Sequence, residues 1–310
     1  MKFPTKQKQG HKDIKNIVVI SGNVWYNNSC GLCNKKPKIR RIFMLPFIDI
    51  FGFELPMYGL LAMVGMVFGV LAAVSLAPKY GVPRMDIVFA SFYCGIGLII
   101  GAKLLYFITM LPKFVEHFDV FLKNPWAVLM YVFSGFVFYG GLIGAALGVI
   151  IYCKQFKIEL RPVMAVVAPA VPLMHGIARI GCLCAGCCYG MEYHGFGAIT
   201  FPTNEIIWGL ADVPRFPTQI VETVVNLILF ISLYIYVRKG NAKGEKAIGV
   251  YLIVYSVMRF CLEFVRGDVI RGVFNGFSTS QWISLALLPL GIFLLIKKFG
   301  DMPKVATKEQ

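Results

Sequence analysis

Charge is scarce in this chain: Asp, Glu, Lys and Arg make up 15% of its 310 residues, against 57% hydrophobic. A soluble domain is nearer a quarter charged and half apolar, so an ordinary soluble fold is excluded. Acidic residues are the scarcer sign, with 16 Asp or Glu against 31 Lys or Arg and a formal net charge of +15. No basic module interleaved with aromatics accompanies that excess, which excludes a nucleic-acid partner. Residues 1–43 are not expected to act as a secretory leader, because the apolar stretch Ile17–Ile20 is too short for an h-region. No internal repeat is present, so an inverted-repeat transporter has no support.

What the chain has instead is long apolar runs. Seven hydrophobic segments lie near 57–78, 87–110, 126–153, 163–190, 219–237, 247–265 and 281–297. A spanning helix needs about 20 mostly apolar residues. The expected fold is therefore an all-α integral membrane protein with about seven transmembrane helices. The third and fourth segments are long and rich in small residues, so broken or re-entrant stretches are expected there. Residues 1–43 differ, with ten Lys or Arg, several turn-formers and a lone Cys30-Gly-Leu-Cys33 pair. Two cysteines fall short of the usual four zinc ligands. This region is expected to be a basic tail, or an over-called start before Met44. The membrane domain is expected over 44–299, followed by a short polar tail at 300–310.

Loop charge gives an orientation. Across seven spans, thirteen Lys or Arg, among them Lys79, Arg84, Lys154, Arg238 and Lys297, fall on one side. Five fall on the other: Lys113, Lys123, Arg215, Arg266 and Arg271. The positive-inside rule puts the first set and the C-terminus in the cytoplasm, although the basic tail opposes this.

Ionisable residues in apolar spans are functional candidates by default. Here they are Lys103, His175, Arg179, Glu222, Arg259 and Glu263, with Arg266 and Asp268 just beyond. Lys103 is close enough to the segment end to snorkel. Arg179 stands among small neighbours in His175-Gly-Ile-Ala-Arg-Ile-Gly181. Tyr255, Arg259, Glu263 and Arg266 share one helical stripe, and Arg259 and Glu263 are spaced to pair. Such a stripe reads as an interior wall meeting an anion. The planar donor fork of arginine suits phosphate, and two arginines with acids nearby point to a phospholipid head group. In Tyr139-Gly140-Gly141-Leu-Ile-Gly144 the glycines allow close approach of a ligand or plain helix packing. Arg215-Phe-Pro-Thr218-Gln219 leads to Glu222, where helix capping is the competing role.

Nine cysteines are present, four of them within Cys182-Leu-Cys184-Ala-Gly-Cys187-Cys188. Three readings stand open: polarizable packing, a thiol or disulfide site, and a soft-metal site. No local histidine completes a zinc pattern, and His194 lies six residues past Cys188.

Several motifs now stand in order along the chain. They are Pro56-Met-Tyr58-Gly59, Gly101-Ala-Lys103-Leu-Leu-Tyr106, Tyr139 to Gly144, and Arg179-Ile-Gly181 running to Gly190. Pro217-Thr-Gln219-Ile-Val-Glu222, Arg259-Phe-Cys-Leu-Glu263-Phe-Val-Arg266 and Ser278-Thr-Ser-Gln281 complete the set. By their order and spacing over roughly 44–300, the chain resembles the bacterial prolipoprotein diacylglyceryl transferases. The resemblance implies a seven-helix enzyme of the plasma membrane. It would move a diacylglyceryl group from phosphatidylglycerol to the lipobox cysteine thiol of a preprolipoprotein, releasing glycerol phosphate. Its site would open toward the outer leaflet and surrounding membrane lipid, with no metal or soluble cofactor, and a monomer is expected. By motif position, Arg179 would bind the phosphate and Arg259, held by Glu263, would stabilise its departure. Gln219 and Glu222 would orient the head group, Tyr58 and Tyr255 would donate hydrogen bonds, and Tyr139 with Gly140 and Gly141 would meet the lipid.

Two departures stand out. A histidine often precedes the Gly-Gly-Leu-Ile-Gly motif as the proposed base, and Tyr139 replaces it among the expected catalytic residues Tyr139, Arg259 and Glu263; a phenol is a weak base at neutral pH unless its pKa is depressed, and otherwise Tyr139 would orient lipid and a carboxylate or water would take the proton. An asparagine and a glutamate usually follow Arg179, where this chain has Cys182 and Cys187. The alternatives are a paralogue with another thiol acceptor or lipid donor, and a non-catalytic transporter or thiol-redox protein. The redox protein would tolerate loss of Arg179.

Overall fold

Apolar runs with few interior helix-breakers satisfy their backbone polar groups internally, as a membrane requires. In the computed structural model each of the seven predicted segments carries a helix, with non-helical residues at 135–137, 168–169, 186–190 and 264–265. The structure describes residues 40–41, 45–116, 124–126, 135–201, 213–240, 242–267 and 272–297. The chain divides into two compact units, Met1–Lys38 and Ile39–Gln310, and the described residues belong to the second. The Cys30–Cys33 pair, Lys123, Asp268, Arg271 and the tail at 300–310 lie outside the described residues.

The helices are α1 (Met57–Leu76), α2 (Arg84–Glu116), α3 (Phe138–Gln155), α4 (Leu160–Val167), α5 (Ala170–Ala185), α6 (Thr218–Arg238), α7 (Gly244–Glu263) and α8 (Thr279–Ile296). Among the described residues six stretches are long and apolar enough to cross a membrane: Met57–Tyr80, Arg84–Pro112, Phe138–Gln155, Leu160–Ala185, Thr218–Arg238 and Thr279–Ile296. The remaining helix, α7, is 20 residues long but carries Glu245, Lys246, Arg259 and Glu263. The helix set apart by its charges is thus the one with the arginine–carboxylate stripe. The fourth segment is broken between α4 and α5 at Ala168–Pro169. The third is a continuous helix from Phe138, while its earlier part, 127–134, lies outside the described residues. Large apolar side chains such as Met63, Phe68, Phe92, Ile100 and Ile143 are exposed along the helices. A helix apolar on every side belongs in lipid or in a protein core.

Helix contacts run α2 on α3, α1 on α5, α5 on α6 and α7 on α8. Without water to drive association, membrane helices pack through small residues. The α2–α3 seam shows how closely: a Cβ at Gly101 would lie 2.2 Å from the Gly140 carbonyl, and one at Gly144 would lie 2.1 Å from that of Gly97.

The two ends of the bundle differ. At one end Tyr80 Oη donates to the Val237 carbonyl (2.9 Å) and accepts from the Ala242 amide (3.1 Å). Tyr152 Oη donates to Asp86 (2.9 Å), and Arg161 pairs with Glu245. These bonds close over a buried cluster including Leu76, Ile87, Val163, Val166 and Val237. The opposite end gathers the N-termini of α1, α3, α6 and α8 with the C-termini of α5 and α7. Short extended pieces tie this end together: Gly190 bridges Arg266, and Arg215 bridges both Glu192 and Ile199. Two hairpins stand here, β2–β3 (Phe47–Ile50 with Phe53–Pro56) and β5–β6 (Val273–Phe274 with Phe277–Ser278). β1 (Arg40–Arg41) pairs in parallel with β4 (Ile199–Thr200). The β5–β6 turn is Asn275-Gly276 with φ of 48° and 79°, the positive values a two-residue hairpin loop needs.

Gly101→Val is expected to force the α2–α3 seam apart. The cost should be about 1–3 kcal/mol, read as a lowered Tm in detergent, while Leu142→Ala on the exposed face of α3 should leave Tm nearly unchanged.

Candidate active site

Helix α6 begins after Pro217 and turns a polar stripe inward. Thr218, Gln219, Glu222 and Asn226 are each exposed by 1% or less. At a period of 3.6 residues, Gln219, Glu222 and Asn226 fall on one face. Glu222 is the hub of the site. Its Oε2 lies 2.5 Å from Arg179 Nε on α5. Its Oε1 lies 3.1 Å from Arg259 Nη1 on α7 and 3.7 Å from Arg266 Nη1 beyond it. Asn226 Nδ2 donates to the Glu222 carbonyl at 2.8 Å, fixing that turn of helix.

Arg259 is held from three sides. Its Nη2 lies 3.0 Å from Glu263 Oε2 and donates to Ser280 Oγ at 3.0 Å. Ser280 is in position because α8 starts with a capping box, in which Ser278 and Gln281 satisfy each other's backbone amides. Arg179 Nε also donates to His175 Nε2 at 3.2 Å, so that ring nitrogen acts as an acceptor. The His175 ring packs on Tyr255 with centroids 5.4 Å apart, and Tyr255 stacks on Tyr251 at 5.8 Å. The three guanidinium side chains differ in access. Arg179 is 15% exposed, against 6% for Arg259 and 2% for Arg266, which makes Arg179 the one most open to a ligand.

A cysteine loop adjoins this cluster. Helix α5 ends at Gly186, whose φ of 66° suits glycine. The Cys187 amide bonds back to the Cys182 carbonyl (3.1 Å) and the Gly186 amide to that of Leu183 (3.2 Å), a Schellman stop. Cys188 follows at φ 61°, a backbone state costing a residue with a Cβ roughly 1–2 kcal/mol. Two buried side chains of α6 hold it there. Gln219 Nε2 donates to the Cys187 carbonyl and Thr218 Oγ1 to that of Cys188, both at 2.7 Å. The Sγ atoms of Cys182, Cys187 and Cys188 lie within 4.8 Å of one another. Arg179 Nη1 approaches Cys182 Sγ at 3.9 Å.

Of the residues singled out in the sequence, Arg179, Glu222, Arg259 and Glu263 meet in one buried cluster. Gln219 adjoins it through the cysteine loop and Tyr255 through His175. Tyr58 packs on Gly181, where its Cδ2 would lie 3.4 Å from an added Cβ. Tyr139 stands in the first turn of α3, its ring centroid 5.7 Å from that of Phe138. Gly140 and Gly141 are buried in the α2–α3 seam. Lys103 lies with its Nζ 3.9 Å above the Phe136 ring. Thr218 gives α6 no side-chain cap and spends its hydroxyl on the cysteine loop. Sequence reasoning gave no role to Tyr251 or Ser280. Tyr251 is one turn from Tyr255, and Ser280 lies inside the Ser278–Gln281 motif, so both were within reach.

An apolar helix bundle holding arginines and carboxylates at one end is a multi-pass membrane protein with a buried cluster of charge. A family profile described as prolipoprotein diacylglyceryl transferase matches residues 46–297. The chain belongs to that family. It is 34% identical over 246 residues to phosphatidylglycerol–prolipoprotein diacylglyceryl transferase 2 of Clostridium perfringens, covering 79% of this chain and 92% of the relative. It is 36% identical to the Clostridium tetani enzyme (79% and 94% covered) and 30% identical to that of Proteus mirabilis (77% and 86%).

Replacing Glu222 by Gln removes the carboxylate shared by these arginines and leaves buried positive charge unbalanced. Stability should fall by about 3–5 kcal/mol, measured by thermal unfolding in detergent. Glu192→Gln, whose carboxylate pairs with His194 at the surface, should leave Tm unchanged.

Proposed function

We propose that this chain transfers the diacylglyceryl group of phosphatidylglycerol to the cysteine thiol of a preprolipoprotein lipobox, releasing glycerol phosphate. The observation that carries this reading is the placement of Arg179, partly accessible and oriented by Glu222, beside Arg259 in a chain of this family. Three guanidinium groups face two carboxylates in the cluster, an excess of positive charge that favours an anionic phosphate.

In the reaction the acceptor sulfur, as thiolate, attacks the glycerol carbon that bears the phosphodiester. The carbon–oxygen bond breaks and its electron pair leaves with glycerol phosphate. Arg179 binds the phosphate, and Arg259 stabilises the charge that grows on it; such fixed donors contribute most when already held in place. Glu222 and Glu263 are positioning residues that hold the two forks. Gln219 acts through the cysteine loop. Tyr58, Tyr139 and Tyr255 offer hydroxyls to the head group, with Gly140 and Gly141 setting the position of Tyr139 through the α2–α3 seam. The membrane domain, 44–299, works as a monomer, its C-terminus in the cytoplasm and its charged end toward the outer leaflet.

The test is release of glycerol phosphate from phosphatidylglycerol in mixed micelles with a lipobox peptide, alongside the mass gain of the peptide. Arg179→Ala should lower the rate about 10²–10³-fold while the protein stays folded. Arg259→Lys, which keeps the charge and loses the fork, should also be impaired. A peptide with Ser for the acceptor Cys should gain no lipid. Wild-type protein that releases no glycerol phosphate under reducing conditions would overturn this reading.

A further inference from the structure

The thiols of Cys182, Cys187 and Cys188 converge for reasons built into the backbone. The Schellman stop folds Cys187 back over the last turn of α5, so that its amide reaches the Cys182 carbonyl. The positive φ of Cys188 then turns the chain and brings an adjacent side chain to the same centre. Gln219 and Thr218, both fully buried, hold the two carbonyls of this turn. Cys184, on the helix proper, is not part of the group. All three sulfurs lie within 4.8 Å of one another. A tetrahedral zinc–thiolate centre places its sulfurs about 3.8 Å apart, from Zn–S bonds of about 2.3 Å, so only a small closure is needed. Cys182 is buried, Cys188 half-buried and Cys187 exposed, so the group opens on one side.

We propose that Cys182, Cys187 and Cys188 bind a zinc ion whose fourth position takes the acceptor thiol. The chemical role given to that site rests on the transferase reading above and departs from the metal-free chemistry that the resemblance implies, at the positions Cys182 and Cys187 where this chain departs from the family motif. Zinc with three protein ligands and an open position is the catalytic arrangement, and a coordinated thiol is deprotonated. The acceptor's proton passes to solvent as its sulfur joins the metal. That sulfur then forms the bond to the glycerol carbon while the carbon–oxygen bond breaks, and the electron pair leaves with glycerol phosphate. Nothing is oxidised or reduced. The thioether product is a poorer ligand than a thiolate and is released. Arg179 approaches Cys182 Sγ at 3.9 Å, so phosphate and acceptor would meet side by side.

The experiment uses the full chain, reduced and purified in detergent, with Co²⁺ as a spectroscopic stand-in for zinc. A sulfur-to-cobalt charge-transfer band is expected. It should be lost in Cys182→Ser, Cys187→Ser and Cys188→Ser, kept in Cys184→Ser, and bleached by added Zn²⁺ in the wild type. A lipobox peptide should strengthen the band, and its Ser counterpart should leave it alone. Stripping zinc with a chelator should stop glycerol phosphate release, and Zn²⁺ should restore it. Absence of the band in reduced protein, a band that depends on Cys184, or full transfer by zinc-free protein each overturns the proposal. A cobalt band that responds to the peptide, in protein that transfers nothing from any lipid, supports the site and counts against the transferase reading instead.

Discussion

Glu222 divides two carboxylate oxygens among guanidinium groups from three parts of the chain: Arg179 on α5, Arg259 on α7 and Arg266 just past it. Charges inside an apolar bundle are tolerated only when paired and hydrogen-bonded. That requirement fixes more than the side chains involved. Helices α5, α6 and α7 must meet at one depth, because none can withdraw its charge without stranding the others. The Asn226 bond to the Glu222 carbonyl, the His175 acceptor beside Arg179 and the capping box that presents Ser280 to Arg259 are local supports for that meeting point.

The two ends of the bundle separate an aliphatic core from a cluster of charge. One end closes with Tyr80, Tyr152 and the Arg161–Glu245 pair over a small-residue and aliphatic core. The other carries the charge cluster, the cysteine loop and the short extended bridges. Glycine makes that second end possible. A Cβ at Gly190 would lie 2.4 Å from the Phe216 carbonyl, so only glycine lets this strand approach while bridging Arg266. The bridge brings Arg266 back toward Glu222 after α7 has ended, extending the charged stripe beyond the helix that began it.

The helices were legible because hydrophobic length is a local property. The segments near 57–78, 219–237 and 281–297 correspond to helices Met57–Leu76, Thr218–Arg238 and Thr279–Ile296 within two residues. The Arg259–Glu263 pair was legible for the same reason, being four residues apart on one helix. The choice of Glu222 as the shared partner was not. Its arginines, Arg179, Arg259 and Arg266, lie 43, 37 and 44 residues away in sequence, and only tertiary packing decides which carboxylate they meet. The cysteines show the same limit. Four thiols in seven residues look equivalent, yet the helix end at Ala185 separates them, leaving Cys184 on the helix and returning Cys187 and Cys188 to Cys182. A glycine at 186 was the available signal for that stop, since glycine is the usual residue one place past a helix end. Gly140 and Gly141 were read two ways, as room for lipid or as packing, and their carbonyl contacts belong to the seam with α2.

The division of labour at the charged end follows from which groups still have lone pairs or donors to offer. Glu222 and Glu263 are both engaged by guanidinium groups, and His175 Nε2 accepts from Arg179. Tyr139 offers a phenol, which is a donor before it is a base. The arginines are therefore suited to the phosphate side of a transfer and poorly suited to the thiol side. What lies next to them, at 3.9 Å from Arg179, is a group of soft sulfur ligands opening toward the exposed Cys187. Under the proposed reaction, hard donors for the leaving oxyanion and soft ligands for the entering sulfur would sit against each other, each matched to one half of the same substitution.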